Sequence, residues 1–434
     1  MKRFLPIIVL ALCCCTQNVP PENVTDPENE DPSIPDGYER VALSSSIDGV
    51  QPMTGIVLWT TSSYNKTDNI QLEYSYMLYN DVCKSKDEYD WSVVDNLLQS
   101  IASRGHQAVI RFRYVYPGYS AAVPDYIKSW EGYEATNGKS EGRKTEFPDW
   151  RCEELQRFHL EFHRRFAERY DNDPRLAFLE TGFGLWAEYH IYDGPFIAGK
   201  TFPSKAFQAE FFRKMEGWFI DTPWCISIDA ADSQYGPFQQ DPSLLEGRFG
   251  NFDDSFMCSD HDGYNYESWS FFGKERYKRA PLGGEFSYYT DYDQKHCLDE
   301  EGIHGRTFEG EVAKFHMTFI IGNDQPRYKP MSRIKEASMA MGYRFVIKDF
   351  LVKQGKGASV LIENAGVAPI YRDAYVAVDG ERGSYNLRDL MPGCEEWIQI
   401  ENPSVTASPS LSIECDHLVT GQRIGYEADI TLGE

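Results

Sequence analysis

The sequence predicts an α/β fold, a (β/α)8 TIM barrel with a small C-terminal antiparallel β-sandwich domain, and three observations predict it. From Gly55 onward, short apolar runs alternate with longer amphipathic segments, the pattern of parallel strands joined by crossover helices. Eight such runs can be counted, the number that closes a barrel of this type. Beyond Pro330 the pattern changes to alternating and β-branched segments separated by turn residues, as in a sandwich. At 434 residues the chain exceeds the size at which one hydrophobic core is usual, so a large domain and a small one divide it naturally.

Taken in order, the expected strands are 55–60, 70–78, 107–114, 176–182, 224–229, 255–260, 282–286 and 316–322. Helices are legible where the punctuation is good. Residues 91–101 carry apolar side chains at i, i+3, i+4 and i+7, follow Asp90 as an N-cap and end before Gly105. Residues 152–170 stop before Asp171-Asn172-Asp173-Pro174, and 205–220 stop before Asp221-Thr222-Pro223. After Asp229 the helices are less regular and the strand count is weakest. A helix-like stretch at 332–341 precedes sandwich strands at 344–352, 358–363, 374–378, 397–400, 411–415 and 426–431, with turns at Lys353-Gln354-Gly355 and Asp379-Gly380. The expected division is 1–15 signal, 16–40 tether, 41–342 barrel and 343–434 sandwich.

The N-terminus reads as an export signal. Met1-Lys2-Arg3 precedes an apolar run from Phe4 to Leu12, too short to span about 30 Å of hydrocarbon as a helix. Leu12-Cys13-Cys14-Cys15 resembles the processing site of bacterial lipoproteins, with Cys15 as the lipidated residue and Cys13 or Cys14 as poorer alternatives; an ordinary secretory signal is the competing reading. Residues 16–37 supply Pro, Asn, Asp and Glu with almost no large apolar residue, the composition of a flexible spacer. An acidic tether directly after the lipid resembles surface-exposed lipoproteins of Gram-negative bacteria that degrade glycans. That resemblance implies a membrane partner through the N-terminal lipid and display at the outer membrane or cell surface, with a periplasmic position as the alternative.

Composition narrows the partners. The net charge is −24, from 43 basic and 67 acidic residues, and no basic run follows the signal, so nucleic acid is excluded as a partner. The balance favours solubility and neutral or cationic partners. Aromatic residues make up 14%, including 27 Tyr, 26 Phe and 9 Trp, which serves core packing and stacking on sugar faces equally well. Beyond the signal lie Cys83, Cys152, Cys225, Cys258, Cys297, Cys394 and Cys415, with no Cys-x-x-Cys pair to hold zinc. No cofactor and no metal are expected, and oligomeric state is not legible.

Catalytic side chains of such barrels project from the C-terminal ends of strands. The fourth expected strand continues Gly182-Phe183-Gly184-Leu185-Trp186-Ala187-Glu188-Tyr189-His190, and the seventh contains Gly283-Gly284-Glu285-Phe286-Ser287-Tyr288-Tyr289. In both, glycines deliver a glutamate to a strand end. Asp229, Asp260 and His261 stand at other expected strand ends, and Arg111, Tyr114, Trp186, His190, Trp269 and Tyr288 are candidates to hold or stack on a ligand. Asp260-His261-Asp262 reads as a turn in place of a metal site. Each glutamate taken alone could equally be a rim residue paired with Arg111 or Arg113.

Tyr89-Asp90-Trp91 opening a helix, Arg111 in a strand after Arg104-Gly105, Gly184-Leu185-Trp186-Ala187-Glu188 and Gly283-Gly284-Glu285 together resemble the retaining glycoside hydrolases built on (β/α)8 barrels. The architecture is similar to that of bacterial lipoproteins carrying a domain of unknown function, in which such a barrel precedes a β-sandwich. The resemblance implies a carbohydrate substrate, Glu188 as acid/base and Glu285 as nucleophile, with the remaining candidates binding substrate. Two departures stand out. The family has Asn immediately before the acid, holding the sugar 2-hydroxyl, where this chain has Ala187, and the segment Tyr76-Met77-Leu78-Tyr79-Asn80-Asp81 lacks the family's Trp and Glu-Pro pairing. A non-catalytic glycan-binding lipoprotein on the same scaffold is therefore the rival reading.

Overall fold

A computed structural model describes residues 34–432 of the chain. The expected signal, Cys15 and most of the tether lie outside the described residues. Eight parallel strands close into a barrel: β1 (Gly55–Trp59), β2 (Leu72–Leu78), β3 (Gln107–Arg113), β4 (Leu176–Thr181), β5 (Trp224–Ser227), β6 (Gly250–Phe256), β7 (Leu282–Phe286) and β8 (Phe319–Ile321). Each pairs with its neighbours in chain order, and β8 closes on β1 with Phe319 opposite Gly55. Strand β4 is buried along its whole length, as a strand covered on both faces must be.

Amphipathic helices clothe the barrel. Helix α1 (Ser92–Ala102) buries Val94, Leu98 and Ile101, and α2 (Glu153–Tyr170) turns Phe158, Phe162 and Phe166 inward at helical spacing, where Phe162 meets Phe112 of β3 at 4.8 Å between ring centroids. Helix α3 (Lys205–Trp218) starts at Ser204, whose side chain accepts from the Phe207 amide. Shorter helices α4 (Tyr266–Phe272), α5 (Phe308–Phe315) and α6 (Met331–Met339) complete the ring. Among the described residues no helix is long and apolar enough to cross a membrane.

The two-residue period of a strand sorts the barrel interior into layers. Tyr74, Val109, Phe178, Cys225, Phe252 and Phe319 make an apolar layer, in which Phe178 and Phe319 stack at 4.9 Å. Gly283 is required here, since a Cβ would stand 2.2 Å from the Phe319 ring. Two residues further toward the strand ends come Tyr76, Arg111, Glu180, Asp254 and Glu285. The barrel is thus oily below and ionic at its C-terminal mouth.

The sixth strand lies at 250–256 and not at the expected 255–260. Its sequence, Gly-Asn-Phe-Asp-Asp-Ser-Phe, carries polar residues on both faces: Asp254 turns into the ionic layer and Asp253 turns outward, where it accepts from Asn265 Nδ2 at 2.8 Å, so the neighbouring apolar stretch looked more strand-like.

The C-terminal domain packs β9 (Phe345–Lys353), β10 (Gly357–Asn364), β12 (Glu395–Glu401) and β14 (Tyr426–Ile430) in one sheet, and β11 (Ala374–Val378) with β13 (Leu411–Cys415) in another. Pairing is antiparallel except between β9 and β14, which run parallel. Two short N-terminal strands, Glu39–Arg40 and Leu43–Ser45, join this first sheet. Residues 39–45 therefore pair with the sandwich, across the boundary expected between tether and barrel. The sandwich covers the N-terminal end of the barrel: Arg372, buried, donates to the Leu176 carbonyl at 2.8 Å and to Thr222 Oγ1 at 2.9 Å, and Gln107 Nε2 donates to the His417 carbonyl at 2.9 Å. Those partners mark the starts of β3, β4 and β5, which leaves the opposite mouth uncovered by this domain.

Candidate active site

Arg111 is the hub of the ionic layer. It is fully buried on β3, with Nε donating to Glu180 Oε2 of β4 at 2.8 Å and Nη1 to Asp254 Oδ2 of β6 at 2.6 Å, so it bridges the barrel interior. Its guanidinium lies 4.0 Å from the centre of the Phe252 ring. Its carboxylate hydrogen bonds go to Glu180 and Asp254, and neither Glu188 nor Glu285 is bonded to it.

Glu188 is placed by a folded loop after β4. Its carbonyl accepts from the Phe183 amide at 3.2 Å and the Gly184 amide at 2.7 Å, and the Leu185 amide donates to the His190 carbonyl at 3.0 Å. The turn puts Trp186 and Ala187 at φ +54° and +60°, a conformation costly for side-chain-bearing residues and tolerated where surrounding contacts hold it. Gly182 and Gly184 let the loop fold so closely: a Cβ on either would stand 2.0 Å from the Ala187 or His190 carbonyl oxygen.

The loop brings three groups together. His190 Nε2 lies 3.1 Å from Glu188 Oε2 and 3.9 Å from Asp229 Oδ2, just beyond β5, while Tyr264 donates to Asp229 Oδ1 at 3.1 Å. The side chains of Glu188 and His190 are 13% and 14% exposed, open enough to meet a ligand and dry enough to have shifted acidities. Their ligand atoms and that of Asp229 all lie within 4.8 Å of one another, so this trio could hold a divalent cation, although His190 already engages Glu188.

Electrostatics tie Glu188 to Glu285. Burial, then the charge of Asp254, pushes the Glu188 carboxyl up to about 7, against the pull of His190. Burial also raises Glu180 to about 7, with Arg111 opposing and Asp254 adding. Glu285 is pushed well above the carboxylate range by burial, then by Asp254, Glu188 and Glu180, with Arg111 opposing. Burial works against the charge on His190, but Glu188 and Asp229 outweigh it and hold the imidazolium up to about 9. The two glutamates thus face one field at the barrel mouth, and together they are set to hold a proton near neutrality. Burial and neighbouring charge favour the protonated form of both carboxyls near neutrality, so a displacement that needs one acid and one carboxylate requires Glu285 to ionise first.

Several other sequence candidates fall elsewhere. Tyr114 alternates outward from Arg111 and Arg113, stacks on Tyr79 at 4.1 Å and meets His159 Nδ1 at 3.1 Å in the helix-side core, so it is not a ligand contact. Trp269 is buried on α4 with Nε1 3.4 Å from Asp253 Oδ2, and it offers no stacking face. His261 is wedged between Phe256 and Phe315, 3.5 Å from both Asp253 and Glu311, as a core histidine. Asp260 lies exposed in the turn before it. Both were expected at a strand end only because β6 was placed too late. Arg111 holds the site's carboxylates in place of a ligand. Tyr288 is 51% exposed beside Glu285, and Trp186 stacks with Tyr192 at 6.0 Å, so both remain at the mouth.

Glu180, Asp254 and Tyr76 were missed. Glu180 had a visible signal, a carboxylate inside the apolar run Leu-Ala-Phe-Leu-Glu-Thr at the strand position matching Arg111. Asp254 had none once its strand was misplaced.

No family model and no curated protein matches this chain. Solved structures similar to this chain include glycoside hydrolases. The catalytic domain of β-amylase from Paenibacillus polymyxa is 11% identical, with 67% of this chain and 99% of that chain covered at a TM-score of 0.43. A GH5_18 protein from Bifidobacterium longum subsp. longum is 9% identical over 62% of this chain and 71% of its own, at 0.39. A broad-specificity GH5-4 endoglucanase from an uncultured bacterium is 9% identical over 66% and 85%, also at 0.39. At identities this low and TM-scores below 0.5, these likenesses say nothing about what the chain acts on.

Proposed function

We propose that the chain is a retaining glycoside hydrolase acting on a poly- or oligosaccharide outside the cytoplasm, held to a membrane through lipidated Cys15. The observation that carries this reading is that Glu285 on β7 and Glu188 on the loop after β4 stand at strand ends of one barrel mouth, where the charge of Glu188 acts on Glu285. Glu188, with its carboxyl near 7, donates a proton to the leaving oxygen and later takes one from water. Glu285, once ionised, attacks the anomeric carbon, and water then hydrolyses the glycosyl ester. His190 and Asp229 orient Glu188, Arg111 fixes Glu180 and Asp254 around the pair, and Tyr288 and Trp186 offer sugar-stacking faces.

The test is product analysis on a broad glycan panel with wild type, Glu188→Gln and Glu285→Gln. Each substitution is expected to lower kcat by a factor of about a thousand or more while binding persists. Wild-type inactivity on every glycan, or turnover indifferent to both changes, overturns the reading. A specific observation favours a second reading, glycan binding without turnover: Ala187 is buried at the position where the family's Asn would hold a sugar hydroxyl. That reading predicts binding that survives Glu188→Gln and weakens on Tyr288→Ala, with no product formed.

A further inference from the structure

Arg113 ends β3 at the barrel mouth, two residues beyond Arg111 on the same side of the strand. Arg111 spends its charge on Glu180 and Asp254, and Arg113 does not follow it. Among the described residues Arg113 forms no ion pair and donates no hydrogen bond, and its Nε is buried without an acceptor. Its guanidinium is caged by aromatic rings instead, 4.5 Å from the centre of Tyr116, 5.7 Å from Tyr76 and 5.8 Å from Tyr119. Rings hold the plane of the group by cation–π attraction but take none of its N–H donors.

A guanidinium so placed lacks an anion. In a chain with 67 acidic residues a carboxylate partner is easily supplied, and among the described residues none is. The position is also next to the candidate chemistry. Tyr76 touches both arginines and feels the charges of Glu285 and Glu188, while Tyr116 packs edge-on against Trp186 at 6.3 Å. Tyr119 is 58% exposed, so the cage opens to solvent. The planar fork suits bidentate recognition of a carboxylate or a sulfate ester.

We infer that Arg113, in its cage of Tyr76, Tyr116 and Tyr119, binds an anionic substituent of the glycan, either a uronate carboxylate or a sulfate ester, next to the Glu188–Glu285 pair. This rests on the glycosidase or glycan-binding reading of the same mouth and names its substrate class. It departs from the neutral or cationic partner that net charge alone favours. The overall charge of −24 acts at long range and is screened over about 8 Å at physiological salt, whereas an uncompensated guanidinium decides at contact.

Titration calorimetry at physiological ionic strength tests it, with three families of tetrasaccharide: uronate-containing, sulfated, and neutral chains of matching backbone. The expected result is that one charged family binds about ten- to a hundredfold tighter than its neutral counterpart, the scale of a charge-assisted pair. Which family does so separates carboxylate from sulfate. Arg113→Gln is expected to collapse that ratio of affinities toward one, and Arg113→Lys to retain part of it. The ratio is unaffected if a variant lowers the folded fraction. Equal binding of neutral and charged chains by wild type, or a ratio unchanged in Arg113→Gln, overturns this inference and leaves the glycosidase reading standing. Failure of wild type to bind any chain overturns both.

Discussion

Glu188→Gln removes a carboxyl that folding pushes from its ordinary 4.5 to about 7, and the consequence for stability can be worked out. The folded value lies above the unfolded one, so the native state holds this proton more tightly between roughly pH 4.5 and 7. The stability it contributes is present in full below about 4.5 and is lost as pH rises through about 7. At about 1.4 kcal/mol per pH unit, the ionised carboxylate costs the fold about 3 kcal/mol at pH 8. That figure already includes the attraction of His190, and a neutral glutamine does not carry the cost. With an unfolding entropy of about 2.1 cal/mol/K per residue, that is a gain of about 3 °C in Tm for a chain of this length. Thermal unfolding of both proteins at pH 5 and pH 8 is the assay. The variant is expected to be the more stable at pH 8, with most of the advantage gone at pH 5. A variant less stable than wild type at pH 8, or an advantage equal at both values, refutes the placement of Glu188 in a dry, acidic site.

Three further outcomes follow from the same geometry. The acid limb of the pH–rate profile is expected above the usual carboxylate range, since burial and Asp254 raise both glutamates; a limb near pH 4 contradicts this. Arg111→Met strands Glu180 and Asp254 without their counter-charge and is expected to cost about 3–5 kcal/mol by urea unfolding at pH 8, and less at pH 5, where Glu180 is protonated. Gly182→Ala places a methyl 2.0 Å from the Ala187 carbonyl oxygen, so the loop carrying Glu188 must shift. Turnover is expected to fall at least tenfold with near-wild-type far-UV circular dichroism, and unchanged turnover contradicts the loop's role.

Much of the fold was legible because its signals are local. Seven of the eight barrel strands lie on the apolar runs expected of them and β6 overlaps its own by two residues, while α1, α2 and α3 start and stop within two residues of their expected bounds. The least legible strand, β6, sends Asp254 into the ionic layer and Asp253 toward the helices, and polar residues on both faces hide it. The C-terminal strands were legible by alternation, but the pairing of Leu43–Ser45 with β14 joins residues nearly four hundred apart, which no local pattern records. Within the candidate site, Glu188, His190, Asp229 and Glu285 were legible as strand-end polar residues following barrel strands. The network of Arg111, Glu180 and Asp254 was not, because it is made by register between strands. Tyr114 was misplaced for a related reason: an aromatic residue near a strand end reads the same whether the pleat turns it toward the mouth or toward a helix. Trp269 sits on the buried face of α4, where its Nε1 lies 3.4 Å from Asp253 Oδ2.

The central claim is that Glu188 and Glu285 work as one unit at the barrel mouth. Single-turnover rates for wild type, Glu188→Gln, Glu285→Gln and the double variant, on whichever glycan the wild type cleaves, test it most directly. The account predicts that the double substitution costs little more than the worse single one, because a pair missing either carboxyl has already lost the shared proton step. Losses that multiply, or a double variant that keeps wild-type rates, contradict it.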